Sequence, residues 1–361
     1  MKIIHLDTGM ELRGGQRQLL RLAQGLQQRG HNQLIVSPEG SELEARARGG
    51  GLNVFALPAH DPAHAHGIMQ LRQHLLASPC DIVHAHDGGG QTLAWLASLG
   101  MPLRRVASRR VSFLPPHRWT YRWKYTRTCH AVIAVSEYIR QLLIHSGVPE
   151  AKIEVIHDGI EIPAELPTAA LRSNLRARWG FSDREFVVGH LGAFTPEKGQ
   201  DLALDALRLL AERFPQARML LAGEGPTRTS PPMVQKLDKV RDRVRLCGNI
   251  EELSEFYSAL DLFVMPSRAE GFGSAALHAM AFGIPVVASR VGGLPEIVSE
   301  GETGWLIPAD SPSALAEAIL AAASDTARLR QLGEKARERA RQFSTDIMLA
   351  RTQALYERVC R

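Results

Sequence analysis

Four cysteines in 361 residues, with no Cys-x-x-Cys pair, argue against a zinc site or a disulfide framework. Cys80, Cys129, Cys247 and Cys360 are scattered, which fits a reducing cytoplasm. No apolar run approaches the roughly 18 residues needed to cross a bilayer. The opening Met1-Lys2-Ile3-Ile4-His5-Leu6-Asp7 turns polar too soon for a secretory signal. No Gly-x-Gly-x-x-Gly follows the first apolar run, and no Gly-x-x-x-x-Gly-Lys-Ser/Thr occurs anywhere. Both absences argue against a dinucleotide oxidoreductase and a P-loop enzyme. Acidic residues are missing from one place: residues 104–127 hold eight basic side chains and no acidic one. The formal charge is +5, so everything outside that stretch is net −3. A dispersed basic excess would point to nucleic acid, whereas one basic patch on a mildly acidic body does not.

What is present is ordinary for a folded protein, 45% hydrophobic and 22% charged. The length predicts two domains. Short β-branched runs alternate with helical patterns in both halves. Ile3-Ile4-His5-Leu6, Leu34-Ile35-Val36, Ile82-Val83-His84 and Val132-Ile133-Ala134-Val135 are strand candidates in the first. Phe186-Val187-Val188, Met219-Leu220-Leu221-Ala222, Leu262-Phe263-Val264-Met265 and Pro285-Val286-Val287-Ala288 are candidates in the second. Such alternation predicts α/β domains with parallel sheets covered by helices on both faces. The Asp158-Gly159 turn, followed by Pro163 and Pro167, marks the break. The expected division is 1–165, 166–343 and a final amphipathic helix over 344–361, which packs on its own domain or crosses back to the first. Ligands of open α/β sheets bind beyond the carboxyl ends of the strands, so two facing sheets make a cleft.

Three segments at such strand ends carry candidate chemistry. Glu270-Gly271-Phe272-Gly273 follows Leu262–Met265, and Ser274 is expected to N-cap the next helix. The helix's first N–H groups and its dipole then form an anion or hydroxyl site, which glycines let a ligand approach. Pro196-Glu197-Lys198-Gly199 follows Phe186–Leu191; a lone loop lysine is usually solvated, but one that opens a helix at a strand's carboxyl end is a candidate phosphate ligand. Gly14-Gly15 follows the first strand. His84 and His86, two apart, share one strand face. Two imidazoles beside Asp87 make a poor metal site, and His86, at the strand end, is either a ligand contact or a hydrogen-bonded cleft histidine. His60, His64 and His66 read as a solvated loop. Gly49-Gly50-Gly51 and Gly88-Gly89-Gly90 read as turns. In the basic stretch, residues 117–127 read His-Arg-Trp-Thr-Tyr-Arg-Trp-Lys-Tyr-Thr-Arg. Arg118, Trp119, Arg122, Trp123 and Lys124 suit an anionic membrane surface, where each well-placed cation adds about 1 kcal/mol. The spacing gives no clean amphipathic helix, so part of the aromatic set belongs in the core. Stacking on single-stranded nucleic acid is disfavoured because the rest of the chain is not basic.

Asp261 through Pro308, with Glu270-Gly271-Phe272-Gly273 near its start, resembles the retaining glycosyltransferases of family 4, which have the GT-B fold. The resemblance extends over nearly the whole chain. Arg13-Gly14-Gly15, Arg29-Gly30-His31, Asp81 through His86, Val135-Ser136-Glu137 and Asp158 through Glu161 follow in family order. So do Glu197-Lys198-Gly199, Ala222 through Pro226 and Gly292-Gly293-Leu294-Pro295-Glu296. It implies two Rossmann-like, doubly wound parallel-sheet domains facing across a cleft, the first for the acceptor and the second for the donor. It implies transfer of a sugar from a nucleotide-diphosphate donor to a glycan or lipid-linked acceptor, with anomeric configuration retained. No cofactor and no metal are expected, and the chain has no Asp-x-Asp signature. Cationic side chains and backbone N–H groups must then stabilise the leaving diphosphate.

By this resemblance Glu270, Lys198 and His86 are the catalytic candidates. Gly14, Gly15, Arg110, Gly271, Phe272, Gly273 and His278 are the donor-binding ones. Two positions depart from the family. His278 stands where a second glutamate usually accepts the ribose hydroxyls, and a neutral histidine has only one acceptor nitrogen. Ala193 stands where an arginine often reaches the diphosphate. Ser108-Arg109-Arg110 replaces a segment in which relatives place a histidine. The expected protein is a cytoplasmic transferase in contact with the inner membrane face, of the lipopolysaccharide or lipid-linked glycan type. A non-catalytic nucleotide-sugar-binding relative and a sugar-nucleotide epimerase are the alternatives.

Overall fold

The apolar runs form two parallel sheets. The computed structural model describes residues 1–59, 65–113 and 118–361, with the backbone alone at 118–121. In the first unit the strands are β1 (Lys2–Leu6), β2 (Asn32–Pro38), β3 (Asn53–Leu57), β4 (Ile82–Ala85), β5 (Arg104–Arg109), β6 (Ala131–Ala134) and β7 (Ile153–Val155). They lie in the order β3-β2-β1-β4-β5-β6-β7. The second unit holds β8 (Phe186–Leu191), β9 (Ala217–Ala222), β10 (Val244–Leu246), β11 (Leu262–Met265), β12 (Val286–Ser289) and β13 (Gly304–Ile307). Their order is β10-β9-β8-β11-β12-β13. Strand order reverses between β1 and β4 in one sheet and between β8 and β11 in the other. These are the switch points at which open α/β sheets bind ligands.

Strands β4, β6, β11 and β12 are buried at every position. Helices cover both faces, so the strands read as apolar runs rather than as alternating patterns. The two faces still separate with period two. Ile3, Ile82, Val106 and Ile133 point to one side of the first sheet, and Ile4, Leu6, Val83 and Ala85 point to the other. The second side is filled by Leu71, Leu75 and Leu93. The first is filled by Leu22, Leu26 and four residues of the last helix, Met348, Leu349, Leu355 and Tyr356.

The first unit therefore comprises Met1–Gly159 together with Thr345–Arg361, and the second is Ile160–Ser344. The returning helix, Thr345–Cys360, packs closely on the helix Gly14–Gln28. A Cβ placed on Gly25 would lie 2.4 Å from Leu349 Cδ1. The division falls earlier than residue 165. Gln18 Nε2 and Arg21 Nη1 both donate to Gly159 O, at 2.9 and 3.0 Å, which fastens the Asp158-Gly159 segment, an irregular stretch rather than a turn, to the first unit. Ile160 N instead donates to Phe343 O at 3.0 Å in the second.

Two local expectations change and a third holds. His66 lies in the helix Ala65–Ala77, not in a loop, and is exposed, while His60 and His64 fall outside the described residues. Gly88-Gly89-Gly90 is the first turn of the helix Gly88–Ala97, because the Asp87 side chain accepts from Gly90 N at 2.7 Å. Gly49-Gly50-Gly51 does close a helix, Glu42–Gly49. Among the described residues no helix is long and apolar enough to cross a membrane.

Candidate active site

In the second unit, β8 runs into the segment Gly192–Gly199, and β11 runs through Pro266 to Gly273. The two exits meet. Lys198 Nζ donates to Glu270 Oε2 at 2.7 Å, and the other carboxylate oxygen, Oε1, accepts from Gly271 N at 3.2 Å. Both side chains are largely buried, 24% exposed for Lys198 and 11% for Glu270. Glycine makes the approach feasible. Gly199 adopts φ +71°, and a Cβ there would lie 2.1 Å from Pro266 O. Gly292 adopts φ +57°, and a Cβ there would lie 1.8 Å from Glu270 O. No other residue fits either place without moving the backbone that carries the pair.

The helix after Glu270 is Ser274–Ala281, and its N-cap is Gly273, at φ +108°, rather than Ser274. No side chain occupies that cap, so its orphan N–H groups are left for a ligand or for water. Phe272 is buried and packs on Phe343 at 5.7 Å between ring centroids, so it offers the site its backbone only. His278 lies on the same helix and stacks on Tyr257 at 6.2 Å. Ala193 precedes Phe194, whose N–H donates to Glu224 O at 2.8 Å. His190, at the end of β8, donates through Nδ1 to Val264 O at 2.9 Å. Burial lowers its pKa to about 4, so it is neutral and its Nε2 is a buried acceptor without a partner.

The first unit gathers a different set at its switch point. His5 of β1 pairs in register with His84 of β4, and His86 follows two residues on. Arg110, just beyond β5, donates through Nη1 to His86 Nδ1 at 3.2 Å and through Nε to Asp158 Oδ1 at 3.1 Å. A guanidinium can only donate, so His86 Nδ1 must accept. The His86 proton is then on Nε2, which donates to His5 Nδ1 at 3.0 Å. His5 in turn donates through Nε2 to Gln33 Oε1 at 2.8 Å. One fixed cation thus sets the tautomer of two rings and the orientation of an amide, leaving Gln33 Nε2 buried without a partner. His84 bonds to Ser108 Oγ at 2.8 Å and to the Tyr356 hydroxyl of the returning helix. Burial holds His5 at a pKa of about 4, with the charge of Arg110 adding to the shift. Burial pushes His84 and His86 well below the usual histidine range, with His5 and Arg110 adding to the shift of His84, and His84, Arg110 and His5 to that of His86.

His86 thus takes the form of a hydrogen-bonded histidine at the end of β4. It is buried, both its nitrogens are taken, and it holds Arg110 rather than offering a nitrogen to a sugar. His5, His84 and His86 have nitrogens within 4.8 Å of one another, the spacing of a metal trio. Every one of those nitrogens already has a protein partner, and the Arg110 cation adjoins them. The histidine chain was not legible in advance, because His5 gains meaning only from its register with His84. Arg110 also reaches the glycine loop: its Cδ lies 3.6 Å from where a Cβ of Gly15 would sit. Gly14 and Gly15 open the helix Gly14–Gln28, so a cation and a helix N-terminus lie together.

The basic helix is Arg118–Arg127. The Arg118 and Trp119 side chains lie outside the described residues. Lys124 turns inward to donate to Gly88 O, and burial lowers its pKa. Tyr125 is core, Arg122 is exposed, and Trp123 is 47% exposed with its edge on Trp95. Phe113, 68% exposed, lies under the Arg109 guanidinium at 5.0 Å.

Two doubly wound parallel sheets, each with polar side chains drawn to its switch point, make up the GT-B architecture of glycosyltransferases. Within it, this chain belongs to the group 1, family 4 glycosyltransferases. The family described as Glycosyltransferase Family 4 matches residues 12–162, and Glycosyl transferases group 1 matches residues 172–339. A GDP-mannose-dependent alpha-(1-6)-phosphatidylinositol monomannoside mannosyltransferase of Mycolicibacterium smegmatis is 32% identical over 259 residues, covering 66% of this chain and 67% of that one. A D-inositol 3-phosphate glycosyltransferase of Streptomyces avermitilis is 29% identical over 331 residues, 85% of this chain and 71% of the other. The fold matches that of Anabaena HepE, solved with UDP-glucose, at a TM-score of 0.88 and 24% identity over 99% of this chain and all of that one.

Proposed function

We propose that this chain transfers a sugar from a nucleoside-diphosphate donor to a glycan or lipid-linked acceptor, with retention and without a metal. The observation that carries the reading is the Lys198–Glu270 pair at the β8/β11 switch point, set against glycine backbone. A donor presents hydroxyls and a diphosphate. The carboxylate of Glu270 accepts the sugar hydroxyls, and the uncapped N–H groups at the start of the helix Ser274–Ala281 donate to the donor's oxygens. The ammonium of Lys198 stabilises the negative charge that grows on the leaving diphosphate as the C1–O bond breaks. In retention on one face, the acceptor oxygen bonds to C1 as the phosphate oxygen leaves. The acceptor proton passes to that phosphate oxygen, so no protein base is needed. Arg110 and the start of the helix Gly14–Gln28 give the first unit an anion site of its own, held in place by Asp158 and His86.

The curated relatives support both a nucleotide-sugar donor and an inositol- or lipid-bearing acceptor, since one is named for GDP-mannose and a phosphatidylinositol mannoside. The exposed Arg122, Trp123 and Phe113 suit contact with an anionic membrane on the cytoplasmic side, where a lipid-linked acceptor of the lipopolysaccharide type lies. The test is calorimetry with UDP, GDP and ADP, followed by turnover with the matching nucleotide sugars and lipid acceptors. The expected result is binding of one diphosphate and acceptor-dependent release of nucleotide, lost in Glu270→Ala. Equal turnover in wild type and Glu270→Ala would remove Glu270 from the site. Binding without turnover would favour the non-catalytic reading that His278 and Ala193 raise.

A further inference from the structure

One arginine stands beside the Lys198–Glu270 pair and belongs to neither partner. Arg268 lies two residues before Glu270, on the segment leaving β11. Its main-chain N–H donates to Glu197 O at 2.8 Å, and its Nη1 donates to Pro196 O at 2.7 Å. Both acceptors are on the turn Pro196–Lys198 that presents the lysine. Nη1 and Nη2 also fork onto the two oxygens of Asp201, each at 2.9 Å, in the first turn of the helix Gln200–Leu209. Nε donates to Asp310, beyond β13. Asp310 is the one non-glycine residue with positive φ, +53°, among the described residues. Such a conformation persists where the surroundings over-determine it. One guanidinium thus ties together the exits of β8, β11 and β13.

These bonds are poor candidates for global stability. The Arg268 side chain is 31% exposed, Asp201 29% and Asp310 60%. Ion pairs with that much solvent add little to a folding equilibrium. A forked guanidinium is strongly directional, however, and fixes geometry where it adds little energy. We propose that Arg268 is a positioning residue for the donor site, acting through Lys198 by holding the Pro196–Gly199 segment against the Glu270 segment. This rests on the reading that Lys198 binds the donor diphosphate.

The test is a double-mutant cycle on the full chain. The probe is whichever of UDP, GDP and ADP binds wild type most tightly, measured by calorimetry. Arg268→Met is expected to weaken binding about tenfold in the wild-type background, since small misplacements of a site group cost this much. In a Lys198→Ala background the same change is expected to cost less than twofold. Arg268→Lys, which keeps the charge and loses the fork, should fall between wild type and Arg268→Met. Hydrogen exchange at the amides of Lys198 and Gly199 should rise in Arg268→Met before any ligand is added. Equal losses in both backgrounds, no loss in either, or unchanged exchange at those amides would each overturn the proposal. Should Arg268→Met fail to fold, Asp201→Asn removes the fork's acceptor charge and is held to the same criteria. If Lys198→Ala binds as wild type does, the assignment of Lys198 is what fails. If wild type binds none of the three nucleotides, the donor reading fails and the proposal falls with it.

Discussion

The two switch points solve the same problem with opposite chemistry. In the first unit, neutral buried histidines pass a direction from Arg110 through His86 and His5 to Gln33. In the second, an ammonium and a carboxylate face each other directly, with glycine backbone around them. The first site is a single cation steadied by polarity deep in the sheet. The second is an ion pair steadied by the loops that carry it. One lesson is where each site should be vulnerable. The first depends on buried tautomers, and hence on pH. The second depends on backbone placement, and hence on substitutions that move loops.

The sharpest way to break the comparison is at Glu270. Glu270→Ala should lower turnover about 10²–10³-fold, the scale of losing one preorganised electrostatic group. Arg110→Ala should cost about tenfold to a hundredfold, with His86→Ala smaller and not additive to it, because His86 acts through Arg110. Additive losses in steady-state kinetics would mean that the histidine meets substrate after all.

The next difference is in acid. His5 has a pKa of about 4 when folded and about 6.5 when unfolded, so the unfolded chain binds the extra proton. Stability from this group is complete above pH 6.5 and is lost as pH falls from there towards 4, at about 1.4 kcal/mol per pH unit. His84 and His86 add to the same loss in the first unit, whereas His190 is its counterpart in the second. Peptide-resolved hydrogen exchange at pH 7.5 and 5 should show the first unit losing protection more steeply. Equal slopes would place the histidine chain in contact with water.

Smaller effects follow. Tyr356→Phe removes one buried partner of His84 and should cost about 1 kcal/mol in urea unfolding, with donor binding unchanged. Last is the membrane face. Replacing Arg122 and Trp123 with Ser should weaken binding to anionic vesicles by about 1 kcal/mol per lost cation. Lys124→Ser should change it less, because that ammonium is turned to Gly88 O. Equal effects from Arg122 and Lys124 would show that Lys124 swings outward at the surface.

How much of this could be read in the chain differs between the units for a physical reason. Strands buried on both faces leave apolar runs, so β1, β4, β8 and β11 stood out. Lys198 and Glu270 sit in short local motifs beside glycines, and local motifs survive being read in one dimension. Gly292 acquires its reason only in space, where a Cβ would meet Glu270 O. His5, Gln33 and Arg268 carry no local signal at all. Their roles come from register between strands distant in sequence, and from a guanidinium forking onto a helix that starts 68 positions earlier, at Gln200. The misreadings were of ends. Gly273 rather than Ser274 caps its helix, and Gly88–Gly90 begins a helix rather than making a turn, because single positions at helix termini are decided by backbone angles and caps.

The returning helix has a consequence for the order of events during synthesis. Ile160–Ser344 is continuous in sequence, so the second unit holds all its parts before the first does. The first unit's sheet emerges early, yet one face of it lacks Met348, Leu349, Leu355 and Tyr356 until the last helix is made. At roughly 5–20 residues per second, Ile3, Ile82 and Val106 wait about 10–40 s for their cover while the second unit is translated. During that interval the nascent chain exposes an apolar sheet face of its first unit. A chaperone that binds apolar surface is expected to act there, on the part of the protein made first and completed last.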